Sequence, residues 1–298
     1  MESLPHILVV LGPTSSGKSA LAVELAKKYN GEIISADSRQ VYKGLNIGAG
    51  KITKKEMKGI PHHLLDVVSP KKLFTVQDFK THAERAIKNI LKKNKLPIIC
   101  GGTGFYIQSI VDNVIFPEVL PNKTLREALL KKTSYELFTI LTKLDPIRAR
   151  DIDPHNNVRL VRAIEIATEL GNVPPLQSEP HYKSLQIGIE TTDEGLKDKI
   201  YKRLLARLKQ GMVAEATTLH EEGLSWKRME QMGLEYRYLA LFLQKKISKE
   251  EMIERLTFET RKYARRQKTW FRKDKRIKWF PRESKNEIEK EIEKFLTY

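Results

Sequence analysis

Cysteine is nearly missing from this sequence: Cys100 is the one cysteine in 298 residues. A disulfide within the chain is therefore excluded, and a reducing compartment, the cytoplasm, is the expected location. No apolar run approaches the roughly twenty residues of a membrane span. Met1 to Pro5 carries no signal-peptide pattern, so neither a membrane nor export is expected. The Cys and His spacing of a zinc site is also missing, since His62 and His63 are adjacent and point in different directions on regular structure. Acids are short as well: 37 Asp and Glu stand against 54 Lys and Arg, a net charge of +17. An acidic ligand surface is thereby excluded, and a polyanionic partner, nucleic acid first, is expected. No internal repeat and no low-complexity linker is found, which leaves one large domain or a core with an insertion. Hydrophobic residues make up 40%, enough for a core.

What is present begins with Gly12-Pro13-Thr14-Ser15-Ser16-Gly17-Lys18-Ser19. The pattern is G-x-x-x-x-G-K-[ST], the phosphate-binding P-loop. Ile7 to Leu11 is a short apolar run that reads as a buried strand. From Ala20 to Tyr29, Leu21, Ala22, Leu25 and Ala26 share one helical face. Strand, glycine-rich turn and helix thus come in the order the motif needs. Gly12 and Gly17 permit a tight turn with inward N–H groups, and the helix N-terminus adds its positive end. Lys18 supplies a point charge for the outer phosphate, and the Ser19 hydroxyl is placed to hold Mg2+. Diphosphate or triphosphate binding follows; hydrolysis does not.

Glu32 to Ala36, Leu96 to Cys100 and Ser184 to Glu190 read as three further strands. Thr75 to Lys93 has helical spacing. Alternating strands and helices indicate an α/β fold: a P-loop-type parallel sheet flanked by helices. Between the third and fourth strands the pattern turns entirely helical, over Leu125 to Lys132, Tyr135 to Leu144 and Val158 to Leu170, with Gly171 as a C-cap. The expected organisation is a core over 1–115, an all-helical inserted domain over 116–183, and the rest of the core with a helical C-terminal region over 184–298. Ser248 to Glu251 reads as a capping box opening a long helix through Phe271. Glu287 to Leu296 alternates Glu and Lys and reads as a solvated helix.

Asp37 ends the second strand, on the rim where open α/β sheets bind ligands. A carboxylate there can act as general base, bind Mg2+, or cap the next turn. The third strand ends in Cys100-Gly101-Gly102 without the acid a P-loop hydrolase uses for Mg2+, which favours group transfer over a motor or switch. Gly101 to Tyr106 is a second glycine-rich turn on that rim, with a hydroxyl at Thr103. Arg159 and Arg162 share a helix face and can grip phosphates or pair with Glu165 and Glu169. From Arg261 to Arg282 eleven basic residues face one acid, Asp274, with Tyr263, Trp270, Phe271, Trp279 and Phe280 interleaved. Charge can follow a phosphate backbone while aromatics stack on bases or, as for Tyr263 and Trp270, fill a core.

In this order these residues resemble the tRNA dimethylallyltransferase (tRNA isopentenyltransferase) family over most of the chain. The similarity runs through the P-loop, Asp37-Ser38-Arg39-Gln40-Val41-Tyr42, Pro61 to Asp66, Gly101-Gly102-Thr103-x-x-Tyr106, Arg159-x-x-Arg162-Ala163, and Arg261 to Phe271. It departs at Val158, where the family has Gln, at Ala49 within Gly48 to Lys51, and at Gly233 to Tyr236; the C-terminal zinc finger of eukaryotic members is absent. The resemblance implies transfer of a dimethylallyl group from dimethylallyl diphosphate to N6 of the adenosine just 3′ of a tRNA anticodon. It implies Lys18, Asp37 and Thr103 as catalytic residues and Gly12 to Ser19 as the diphosphate site, with Mg2+ on Ser19. It places tRNA on Asp37, Ser38, Arg39, Gln40, Thr103, the run Val158-Arg159-Leu160-Val161-Arg162, and Arg265 and Arg266. Gln40 is close enough in sequence to Asp37 to help hold the adenine. A monomer is expected. The competing readings are an adenylate isopentenyltransferase acting on free nucleotide, an ATP-binding small-molecule kinase, and a non-catalytic RNA-binding ATPase module, which would need a second Mg2+ acid.

Overall fold

The computed structural model describes residues 4–297; Met1 to Ser3, part of the segment read for a signal peptide, lie outside them. The chain runs β1 (His6–Leu11), α1 (Lys18–Lys28), β2 (Gly31–Ala36), α2 (Lys54–Met57), β3 (His62–His63), α3 (Val76–Leu91), β4 (Leu96–Gly101) and α4 (Gly104–Val111). It continues through β5 (Val114–Ile115), α5 (Lys123–Leu129), α6 (Ser134–Leu144), α7 (Pro146–Asp151), α8 (Asn157–Leu170) and β6 (Gln177–Ser178). Then come β7 (Lys183–Ile189), α9 (Asp193–Lys209), α10 (Met212–Glu221), α11 (Trp226–Glu230), α12 (Leu234–Leu243), α13 (Lys249–Phe271), β8 (Lys278–Phe280) and α14 (Lys285–Thr297).

Six strands form one sheet in the order β3-β2-β4-β1-β7-β8, and every pairing in it is parallel. β1 lies inside it, with Leu8 opposite Ile98 on one side and Leu185 on the other. A parallel strand covered on both faces reads as a continuous apolar run, which is why Ile7 to Leu11 has no alternation and is wholly buried. One face of the sheet packs on α3 and α4 through Phe79, Ile87, Ile90 and Ile110. The other packs on α1 through Leu21, Leu25 and Ala26. Helices α10 to α13 build a separate apolar cluster around Tyr236, Leu239 and Met252. All six strands share a direction, so their carboxyl ends lie on one rim, and the loops after β1, β2 and β4 meet there.

The chain divides into two compact units, Val114–Glu179 and the remainder. The smaller unit has the three expected helices, plus α7, around a core of Leu137, Leu141, Leu160 and Ile164. Gly171 caps α8 at φ 81°. The unit is not entirely helical: β5 and β6 pair antiparallel, Val114 with Ser178 and Ile115 with Gln177. Two residues per strand are too few for periodicity to register.

Three expectations about helices are corrected. Ser248 does cap α13, accepting from the Glu251 N–H, but the capping box stays half made. The Glu251 carboxylate is held by Arg255, one turn on, at 2.5 Å. α14 is not a solvated helix: Ile288 and Ile292 are fully buried against the sheet, and Lys28 of α1 holds Glu289 at 2.6 Å. The alternating charges occupy its outer face only. Trp270 is 38% exposed, so α13 sends Phe271, not Trp270, into the core.

Candidate active site

The glycine-rich loop Gly12 to Ser19 joins β1 to α1 with conformations that suit a phosphate-binding turn. Gly17 is the N-cap of α1 at φ 87°, and no side chain caps the helix. The first-turn N–H groups are thus left for an anion. Ser15 also lies in the left-handed region, at φ 64°, which costs a non-glycine residue about 1 kcal/mol. Strain of this kind persists where surrounding contacts fix the loop. The hydroxyls of Ser15 and Ser16 are buried with no hydrogen-bond partner among the described residues, so the loop holds two donors in reserve.

Lys18 Nζ donates to the Pro13 carbonyl at 3.2 Å. Burial pulls its pKa below the usual lysine value, which favours any ligand that restores a negative neighbour. Arg203, from α9, lies beside it: Nη2 donates to Thr14 Oγ1 at 2.6 Å. Burial, then the nearby Arg207, pushes the Arg203 pKa down to about 10. Two partly buried cations thus converge on one loop. Burial pushes the thiol of Cys100, the residue that ends its apolar run on β4, up to about 11. Cys100 is therefore a neutral neighbour, as an inert buried thiol should be.

Asp37 follows β2 on the same rim. Its Oδ1 accepts the Arg39 N–H at 2.8 Å, so one oxygen caps the turn. The Ser38 N–H donates to Thr103 Oγ1 at 3.1 Å, which ties the acid segment to the second glycine-rich turn. The glycines of that turn serve close packing: a Cβ on Gly101 would lie 2.1 Å from the Ala36 carbonyl, and one on Gly102 would lie 2.3 Å from Gln267 Nε2. Gln40 is used internally. Its Oε1 accepts from Ser35 Oγ at 3.0 Å and its Nε2 donates to the Gly50 carbonyl at 3.2 Å. In this arrangement it braces the loop after β2, and it can meet an adenine only by giving up these bonds. Gly50 itself is forced by Arg207, whose Nη2 would lie 1.4 Å from a Cβ there.

Two residues of this rim escaped the sequence reading. Arg203 sits four residues before Arg207 on a helix whose Leu196, Ile200 and Leu204 are buried; arginines at that spacing on an apolar face were the available signal. Gln267 lies at helical spacing with the buried Ala264 and Phe271, and an amide inside a run of arginines was the clue.

The residues expected on tRNA separate by exposure. In the smaller unit Val158 is 81% exposed while Leu160 and Val161 are buried in its core. Leu160 and Val161 are corrected on that ground, because their side chains cannot reach a ligand without unfolding α8. Arg159 is exposed. Arg162 turns inward, to Glu165 at 3.2 Å and the Val119 carbonyl at 2.9 Å. Burial would raise the Glu165 carboxyl, but Arg126, the Asn122 N–H and Arg162 overcome it and hold the pKa below the usual value. On α13, Arg265 and Arg266 are exposed. Arg265 reaches Asp193 at 3.4 Å, and Arg266 lies over the Tyr263 ring.

Comparison with known proteins adds four findings. The IPP transferase family model matches residues 40–274. A tRNA dimethylallyltransferase of Thermoanaerobacter sp. (strain X514) is 40% identical over 306 residues, spanning 98% of this chain and 97% of the relative. Among solved structures, a tRNA delta(2)-isopentenylpyrophosphate transferase of Staphylococcus epidermidis is 36% identical with a TM-score of 0.72, covering 97% of this chain and 99% of its own. A eukaryotic dimethylallyltransferase caught acting on tRNA is 27% identical with a TM-score of 0.75, covering 89% and 69%.

Proposed function

The chain belongs to the IPP transferase family, and on that premise we propose the reaction its rim performs. It is a transferase that moves a dimethylallyl group from dimethylallyl diphosphate to N6 of the adenosine 3′-adjacent to the anticodon of tRNA, releasing diphosphate. The observation that carries this reading is the full-length similarity to a tRNA dimethylallyltransferase, joined to a phosphate loop and a carboxylate on one rim.

In the reaction the N6 amine attacks C1 of the donor. The C1–O bond breaks as the C–N bond forms, and its electron pair leaves with diphosphate. Lys18, Arg203, the loop N–H groups and the serine hydroxyls of residues 12–19 supply the charge and donors that steady that leaving group. Asp37 accepts the amine proton; its Oδ1 is committed to the Arg39 N–H, which leaves Oδ2 for the task. Thr103 holds the acid segment in place through Ser38. The adenine must leave its stack to reach the rim, as in other base-modifying enzymes.

Mg2+ fits the donor set here. Ser19, in the first turn of α1, offers a hydroxyl oxygen and Asp37 a carboxylate oxygen, both ligand types that suit a hard cation. When bound, Mg2+ neutralises part of the charge on the departing diphosphate.

For tRNA, we assign the exposed Val158 and Arg159 and the outward face of α13 with Arg265 and Arg266 to contacts with the anticodon stem-loop. Ser38 and Arg39 flank the base. We propose that the protein acts as a monomer. The test is incubation with labelled dimethylallyl diphosphate, unmodified tRNA, and AMP, ADP and ATP together. Label in tRNA supports the reading. Label in free nucleotide, or loss of a phosphate to another small molecule, overturns it.

A further inference from the structure

The basic helix α13 does more than carry charge. Its residue Gln267 is only 7% exposed, and both ends of its amide are occupied. Oε1 accepts the Thr14 N–H of the phosphate loop at 2.9 Å. Nε2 donates to the Gly102 carbonyl of the second glycine-rich turn at 2.8 Å. One residue on, Thr103 receives the Ser38 N–H beside Asp37. A path of hydrogen bonds, bridged by the Gly102–Thr103 peptide, therefore runs from the loop assigned to the leaving group, through Gln267, to the residue beside the proposed proton acceptor.

We infer that Gln267 is a positioning residue, which fixes the phosphate loop against the acid segment and so sets the distance over which prenyl transfer occurs. This rests on the reaction proposed above. Three observations favour it over a role in packing alone. The amide is matched donor to acceptor at both ends, which an apolar side chain of equal size cannot reproduce. Gly102 has no Cβ, and one there would collide with Gln267 Nε2 at 2.3 Å, so the turn is shaped around the amide. The Thr14 N–H, fixed by Gln267, is flanked by Pro13, which has no N–H to offer, and by the strained Ser15. This end of the loop is thus held by a side chain from another element. Reacting atoms must approach within roughly 3–3.5 Å, and an error of about 1 Å can cost a hundredfold in rate.

The experiment compares wild type with Gln267→Met and Gln267→Glu. Methionine keeps the length and apolar volume but makes neither bond. Glutamate in its protonated form makes both, donating its O–H to Gly102 and accepting from Thr14; ionised, it loses the donor. Single-turnover transfer is measured with tRNA and donor both saturating, and donor affinity separately. We expect Gln267→Met to lower the saturated rate by about tenfold to a hundredfold, with donor affinity within about threefold. The rate of Gln267→Glu relative to wild type should climb as the pH is lowered, because the acid form replaces the amide. Amide hydrogen exchange should quicken in both glycine-rich turns of Gln267→Met, a readout independent of what the reaction is. A saturated rate for Gln267→Met within twofold of wild type would overturn the inference. So would a pH-independent ratio for Gln267→Glu, or unchanged exchange at Thr14 and Thr103. Failure of wild type to prenylate tRNA would instead count against the reaction itself.

Discussion

In the proposed reaction Asp37 has a task for each oxygen. Oδ1 holds the turn through the Arg39 N–H, and Oδ2 would take the proton. The N6 amine is a weak nucleophile because its lone pair is delocalised into the ring, so removing its proton during attack is worth roughly a hundredfold to ten-thousandfold. Asp37→Asn keeps the turn, since the amide oxygen still accepts from Arg39. Turnover should collapse by that factor while affinities for tRNA and donor survive; a parallel loss of donor affinity, recovered by added Mg2+, would make it a metal ligand instead. A second carboxylate answers to pH through stability. Burial would raise the Glu32 carboxyl, but Lys95, His63 and Lys93 outweigh it and hold its pKa at about 2 against an ordinary 4.5. A depressed pKa contributes stability above the unfolded value, and that contribution is lost as the pH falls through the folded one. Glu32→Gln should therefore destabilise the protein at neutral pH by on the order of 2 kcal/mol, discounted because the lysines are partly in water. In urea titrations the gap should begin to close below pH 4.5 and be gone near pH 2; a gap unchanged across that range contradicts the ion cluster.

Helix α13 shows what a chain of residues can and cannot announce. Its basic run was plain, and so was its extent, because Ser248 supplies a cap and the spacing of Leu256, Ala264 and Phe271 is helical. Which residues face inward was not: Trp270 looked like core and lies half in water, while the polar Gln267 is buried. The arginine run offers no apolar contrast by which to fix the helix's rotation. In α8 the same limit separated Arg159 from Leu160 and Val161 only once the core was visible. The strand, turn and helix around Gly12 to Ser19, by contrast, were legible, because Gly12 and Gly17 answer to a backbone requirement. Arg203 was not, since its partner Thr14 lies 189 residues away. If the outer face of α13 carries RNA, Arg265→Glu with Arg266→Glu should raise the KM for tRNA and flatten the slope of log affinity against log salt, by about one for each phosphate no longer neutralised. Donor affinity without RNA should be unchanged. An unaltered slope would make this a solvated face and move the RNA elsewhere.

As a whole, the molecule is a parallel sheet whose carboxyl-end rim gathers loops from β1, β2 and β4, a helical unit at Val114–Glu179, and a surface of strong positive charge. Among the described residues no helix is long and apolar enough to cross a membrane. A charge of +17 suits a polyanionic substrate far larger than the donor. The proposed reaction ties these features together: prenyl transfer to a tRNA adenine, with the loop at residues 12–19 proposed to hold the departing diphosphate. The most direct measurement is mass analysis of nucleosides, position by position, in tRNA incubated with dimethylallyl diphosphate and either wild type or Lys18→Ala. The account predicts one added dimethylallyl group on the adenosine 3′-adjacent to the anticodon, formed with wild type and slowed on the order of a hundredfold or more by Lys18→Ala. Unmodified tRNA with wild type, or equal modification by the variant, would contradict it.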